Sequence, residues 1–201
     1  MKHSLFIAFF LCLGSFASAQ QLTSPDGNLS LEFMEQADGV PAYRLDYKGK
    51  PVLTSGRLGL LTEEADLTRG FKQTNLERAS VDNYWNPVWG EYNRVRNHYN
   101  EMAVNLTNED HVQLTLRFRV FDDGIGFRYE YTVPTVDSLL ITDELTTFRF
   151  HRDGTSWSIP ASAETYELLY QQQPISEVET ANTPFTFKTA DGVYGSIHEA
   201  A

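Results

Sequence analysis

His111-Val-Gln-Leu-Thr-Leu-Arg-Phe-Arg-Val-Phe-Asp-Asp-Gly-Ile-Gly-Phe-Arg-Tyr-Glu-Tyr131 decides the fold. Val112, Leu114, Leu116, Phe118 and Val120 alternate with Gln113, Thr115, Arg117 and Arg119. A period of two marks a strand with one face against a core and the other in water. After Asp122-Asp123-Gly124 the alternation resumes, with Ile125, Phe127, Tyr129 and Tyr131 set against Gly126, Arg128 and Glu130. Two such runs across a short Asp-Gly turn predict an antiparallel hairpin, the positive φ of a tight turn falling on that glycine. The β-branched and aromatic bulk on both strands suits the floor of a sandwich.

The same pattern extends in both directions. Upstream, Ser24-Pro25-Asp26-Gly27 turns the chain into Leu29, Leu31 and Phe33; Asp38-Gly39 turns it into Tyr43, Leu45 and Tyr47; Lys48-Gly49-Lys50 leads to Val52 and Leu53. That is a β-meander. Leu58, Leu60 and Leu61 predict a further short strand before an acidic link, Glu63 to Asp66. Phe71 to Ser80 reads as extended chain with only Phe71 and Leu76 facing a core, and Met102, Val104 and Leu106 restore alternation over Glu101 to Thr107. Downstream of Tyr131, Pro134 breaks the ladder and Leu139 to Phe150 predicts a strand pair. Asp153-Gly154 turns into Trp157 and Ile159, and Ala163 to Gln173 is the one place where a helical turn is expected, ended by Pro174. Pro184 to Lys188 and Val193 to His198 form a last hairpin. The sum is an all-β fold, an antiparallel β-sandwich of two packed sheets without a repeat of fixed length.

Residues 1–19 stand apart. Lys2 and His3 give a basic start, Leu5 to Leu13 is an apolar run too short to span a bilayer, and Ala17-Ser18-Ala19 offers a small-residue cleavage site. We therefore expect a signal peptide over 1–19 and export to the periplasm or the extracellular space, with residues 20–201 as the mature domain. Cys12 lies inside the apolar run, which argues against a lipid-anchored cysteine at the cleavage point. Removing 19 of 201 residues leaves 182 with no cysteine, so the core alone must hold the domain. Loss of Lys2 takes the formal charge from −11 to −12. That balance argues against nucleic acid or an anionic membrane surface as partner, and suits solubility or cation binding.

Trp85 to Asn100 has neither helical nor strand periodicity and predicts a long loop or irregular strand. Its Trp85, Trp89, Tyr92 and Tyr99 can stack on sugar rings, or can close the rim of a sandwich through internal hydrogen bonds; composition favours the second. Arg94, Arg96, Asn97 and His98 can likewise bind an anion or satisfy that network. Asp122-Asp123-Gly124 is a hairpin turn rather than a calcium loop, since an EF-hand spreads its ligands over about twelve residues and closes with a bidentate glutamate. The histidines are too scattered for zinc, and no nucleophile elbow, zincin or phosphate-loop motif is present. By spacing alone Glu199 is a surface carboxylate at a strand end, one oxygen donor where calcium takes about six to eight.

Several ordered motifs change the weighting: Val88-Trp-Gly-Glu, Arg96-Asn-His-Tyr-Asn-Glu, Phe118-Arg-Val-Phe-Asp-Asp-Gly-Ile-Gly-Phe-Arg-Tyr, Trp157-Ser-Ile-Pro-Ala, Thr180-Ala-Asn-Thr-Pro-Phe and Ser196-Ile-His-Glu-Ala-Ala. In that order, from about Ser24 to Ala201, the chain resembles the N-terminal domain of glycoside hydrolase family 97. The resemblance implies a β-supersandwich followed in complete enzymes by a (β/α)8 barrel and a C-terminal β-sandwich. It also implies an exported, calcium-dependent, exo-acting enzyme on α-glucosides or α-galactosides, inverting or retaining. Glu199 matches the glutamate this domain gives to the active-site calcium; His198 beside it is assigned no role. No catalytic residue is expected on this chain, because the acid and the base or nucleophile of the family lie on the barrel.

The expectation is thus a domain truncated before the barrel, its sandwich incomplete at the C-terminal end, with an edge near Val193 to His198 open to pairing. Its partners would be the barrel and an α-linked oligosaccharide, and alone it would be inactive. The alternative is a stand-alone carbohydrate-binding or adhesion module that uses Trp85, Trp89, Tyr92 and Tyr99.

Overall fold

A computed structural model describes residues 20–134 and 136–199; the expected signal segment lies outside the described residues. Four antiparallel sheets account for nearly all of its regular structure. The first is the expected meander, β1 (Gln20–Thr23), β2 (Leu29–Glu35), β3 (Pro41–Tyr47) and β4 (Lys50–Arg57), paired in that order. β5 (Leu60–Thr62) and β6 (Asp66–Leu67) start a small sheet that β11 (Ile141–Glu144) completes. The third sheet contains β7 (Lys72–Trp85), β8 (Val95–Thr107), β9 (Gln113–Phe121) and β10 (Ile125–Thr132), each paired with the next. The fourth runs β13 (Gln171–Pro174), β12 (Gly154–Ser158), β14 (Phe185–Thr189) and β15 (Tyr194–Ile197) from edge to edge.

Alternation in the sequence becomes alternation in burial. On β2, Leu29, Leu31 and Phe33 are buried; on β9, Leu114, Leu116, Phe118 and Val120 are. The first and third sheets meet through these side chains, with Phe33 and Phe118 6.3 Å apart between ring centres. Met102, Val104 and Leu106 of β8 extend the contact, and Phe71 and Leu76 join the core as the sequence predicts. Tyr43 is fully buried in this layer and donates its hydroxyl to the Thr147 carbonyl at 3.1 Å. Burial pushes its phenol well above the ordinary range.

Four expectations need correction. The hairpin turn at 122–124 closes with a Phe121 N–H to Gly124 carbonyl bond of 2.8 Å, but Gly124 stays outside the left-handed region. The positive φ falls instead on His111, at 60°, in the tight turn that leads into β9. There the Asn108 side chain accepts the Val112 N–H at 3.0 Å and its carbonyl accepts that of His111 at 3.1 Å, which holds the turn. Tyr131 shares the face of Leu114, its partner in register, but does not join the core: near the end of an edge strand it is 40 % exposed.

No helix forms over Ala163–Gln173. The Ser162 hydroxyl accepts the N–H groups of Glu164 and Thr165, the pattern of a helix N-cap, but the Thr165 hydroxyl then accepts the Glu167 N–H that a helix would give to the Ala163 carbonyl. Gln171–Pro174 then pairs with β12. Finally, the stretch Trp85 to Asn100 divides: residues 86–94 form the expected loop, whereas Trp85 and Val95 to Asn100 are regular strand at the ends of β7 and β8.

Of the strand pair expected over Leu139 to Phe150, β11 is regular. The rest follows the free side of β4 through bonds from Thr54 N–H to Arg149, Thr147 N–H to Arg57 and His151 N–H to Val52. This segment delivers Phe150 to Phe187, 4.7 Å away and edge-on, and so ties the fourth sheet to the core.

Candidate functional site

Two places gather the residues singled out in the sequence. The first is one end of the fourth sheet. Register pairs Phe185 with Ile197, Trp157 with Thr186 and Ser158 with Gln171, so the ends of β12 and β15 and the starts of β13 and β14 lie together. His198 and Glu199 leave the sheet there, both exposed, and Glu199 makes no hydrogen bond or ion pair with another described residue. β15 can lie flat on β14 because Gly195 has no side chain: the Phe187 ring occupies the space a Cβ would need. β15 is an edge strand, as expected for Val193 to His198.

Among the described residues no three His, Cys, Asp or Glu side chains gather to hold a metal. Glu199 can offer one or two oxygens, short of the six to eight, roughly, that calcium takes. The described residues therefore do not make a calcium site by themselves.

The second place is the tip of the β7–β8 hairpin. β8 pairs with β9 only from Tyr99 to Thr107, whereas β7 and β8 pair on as far as Trp85 and Val95. Residues 82–85 and 95–98 thus form a two-stranded arm beyond the body of the sheet. Trp85 is 55 % exposed, Trp89 87 % and Tyr92 72 %, while Tyr99 is buried against Phe121, 5.1 Å between ring centres, under the Arg119 guanidinium. The arm brings three of the four expected aromatics into solvent and withdraws the fourth.

Opposed residues share a face, which sorts the arm's side chains. Trp85, Val95, Asn83 and Asn97 point outward with Tyr99; Tyr84, Arg96, Asp82 and His98 point to the side of the first sheet. On that inner side Arg96 makes two bonds to Asp82, at 2.7 and 2.8 Å, and Arg94 lies 3.8 Å over the Tyr84 ring. Hydrogen bonding from Arg96 holds the Asp82 carboxyl below its usual range. On the outer side the Asn97 amide donates to Asn83 Oδ1 at 3.1 Å. Asn83 was not singled out in the sequence, because its role depends on a register that the missing periodicity conceals. The alternation Val81, Asn83, Trp85 against Val95, Asn97, Tyr99 is the signal that reveals it.

The strongest charge coupling lies further along the same outer face. Arg117 bridges Glu130 and Glu101 at 2.7 Å each, and Arg119 holds the other Glu101 oxygen at 2.7 Å. Hydrogen bonding from Arg117 takes the Glu130 carboxyl down to about 2. Burial opposes the same change at Glu101, and the bonds from Arg119 and Arg117 outweigh it. These are satisfied cross-strand ion pairs on a solvent face, without a cleft. Asp122 accepts the backbone N–H of Asp26 at 2.8 Å and so ties the hairpin turn to the first meander turn.

Residues 22–201 match the family model described as glycosyl-hydrolase 97 N-terminal. The chain belongs to that family. Among solved structures, a glycoside hydrolase family 97 enzyme from Pseudoalteromonas sp. strain K8, in complex with panose, superposes with a TM-score of 0.82 at 35 % identity. The match covers 90 % of this chain and 28 % of that one; the same enzyme is also known in complex with acarbose. A beta-arabinopyranosidase matches with a TM-score of 0.75 at 27 % identity, over 85 % of this family-97 domain and 30 % of that chain. A probable retaining alpha-galactosidase of Streptomyces bingchenggensis is 27 % identical over 180 residues, 89 % of this chain. This chain spans 27 % of that relative's length.

Proposed function

We propose that this family-97 N-terminal domain serves an exported, calcium-dependent enzyme acting on α-linked oligosaccharides. In that enzyme it packs on the (β/α)8 barrel, walls one side of the sugar pocket and gives the Glu199 carboxylate to the calcium. The observation that carries the reading is Glu199 itself, an exposed carboxylate at a sheet end, inside the family match and without a partner among the described residues. The ion's other donors would come from the barrel. There the calcium would polarise groups at the reacting centre and help to orient the substrate.

Hydrolysis of a glycoside takes two carboxyl groups set across the scissile bond. On this reading both belong to the barrel, and the 201-residue chain is inactive alone. The test is an assay of residues 20–201 on p-nitrophenyl α-glucoside and α-galactoside with calcium present. We expect no release of nitrophenol above background. Turnover by the purified chain refutes the reading.

A further inference from the structure

The outer face of the β7–β8 arm carries an arrangement that the calcium reading leaves unused. Trp85 is half exposed at the end of the ribbon, and one strand step behind it on the same face sits the Asn83–Asn97 amide pair. That step is about 7 Å along the strand. The single bond between the two side chains leaves the Asn83 NH2 and the Asn97 carbonyl oxygen without a partner among the described residues, on the outer face of the ribbon. The inner side is fixed by the Arg96–Asp82 pair and by Arg94 over Tyr84, so the ribbon is held in shape before any ligand arrives. Behind the amides, Arg119 covers Tyr99 and closes the stripe.

We infer that this face is a sugar-binding site carried by the chain itself. One pyranose of an α-linked gluco-oligosaccharide stacks its C–H face on Trp85, and hydroxyls of the neighbouring unit bond to Asn83 and Asn97. An indole offers a broad apolar surface at little cost in side-chain entropy. The amides offer one donor group and one acceptor, the complement of a hydroxyl, which can be both. A protein surface laid over the same stripe would have to match both amide groups or leave them buried and unpaired, which is costly. A sugar satisfies them wherever its hydroxyls fall in reach. The inference rests on the proposed function only for the class of sugar.

Calorimetric titration of the 201-residue chain with panose tests it. We expect saturable binding that Trp85→Ala weakens about tenfold, a loss typical of one stacked aromatic ring. Asn83→Leu, which keeps a strand-compatible side chain, should weaken it about threefold, while Tyr166→Ala, an exposed aromatic outside the arm, should leave it within about twofold. Urea midpoints of each variant separate loss of binding from loss of fold, and Asn83→Leu carries the test if Trp85→Ala lowers its midpoint. Absence of saturable binding overturns the inference, as does binding indifferent to Trp85→Ala and Asn83→Leu alike. Glu199→Gln should leave panose binding unchanged, so failure of the calcium reading and failure of this one are told apart.

Discussion

Replacing Gly195 by alanine should strain the strand that delivers Glu199, and the strain can be traced to one ring. A Cβ at Gly195 would stand 2.5 Å from Cζ and 2.9 Å from Cε1 of Phe187. That ring is buried and has Phe150 edge-on at 4.7 Å, so it cannot swing away without opening the core. Overpacking of this kind costs about 2 kcal/mol. Phe187→Leu alone removes ring contacts and should cost about 1.5 kcal/mol. The double variant fits, because the shortened side chain leaves room for the new methyl. It should therefore cost about 2 kcal/mol rather than the sum, a coupling of about 1.5 kcal/mol. Urea unfolding of the four proteins, followed by tryptophan fluorescence with a common slope, measures it. Additivity within about 0.5 kcal/mol refutes the reasoning, and so does a Gly195→Ala variant as stable as the parent.

Two further outcomes follow from the third sheet. Phe118 is fully buried between Phe33 and Phe127, so Phe118→Ala should cost about 3–5 kcal/mol in urea unfolding, while Tyr131→Ala on the exposed end of the same hairpin should cost less than about 1. Glu130 titrates at about 2 when folded against 4.5 ordinarily, so its bonds to Arg117 stabilise fully above pH 4.5, and that contribution drains away as pH falls through 2. With its side chain about a third exposed the contribution is discounted to about 1 kcal/mol. The stability gap between the parent and Glu130→Gln should narrow by that amount from pH 6 to pH 2, and a gap that widens on acidification would show the sign to be wrong.

Strands were legible where one face is buried. In β2 and β9 the core demands an apolar residue at every second position, and Leu29, Leu31, Phe33 and Leu114 to Val120 write that demand into the sequence. The arm has no buried face. Its pairing is carried by backbone bonds and by polar contacts such as Arg96 with Asp82, and neither leaves a hydrophobic period, so Trp85 to Asn100 reads as irregular. Ala163 to Gln173 misleads in the opposite sense, because its composition admits a helix, while the Thr165 hydroxyl takes the Glu167 N–H and Gln171 onward pairs with β12. Glu199 is different again. Periodicity and spacing describe only a surface carboxylate, and its meaning comes through motif resemblance, since the groups it would work with are not among the described residues. Asn83 and Asn97 become a pair only once Trp85 is known to face Val95.

The arm has one more consequence, for how the chain divides. Residues 86–94 join β7 to β8 outside every layer, so the domain consists of two interlocking pieces, 20–85 and 95–199. The first holds the whole meander and β5 to β7; the second holds β8 to β15. Neither piece can cover its own apolar face, because Phe33 needs Phe118, Leu53 meets Phe150, and β5 completes its sheet only with β11. A cut at the tip would sever the chain without separating the halves. The two pieces are complementary halves of one core, joined in the chain only by the loop of the arm.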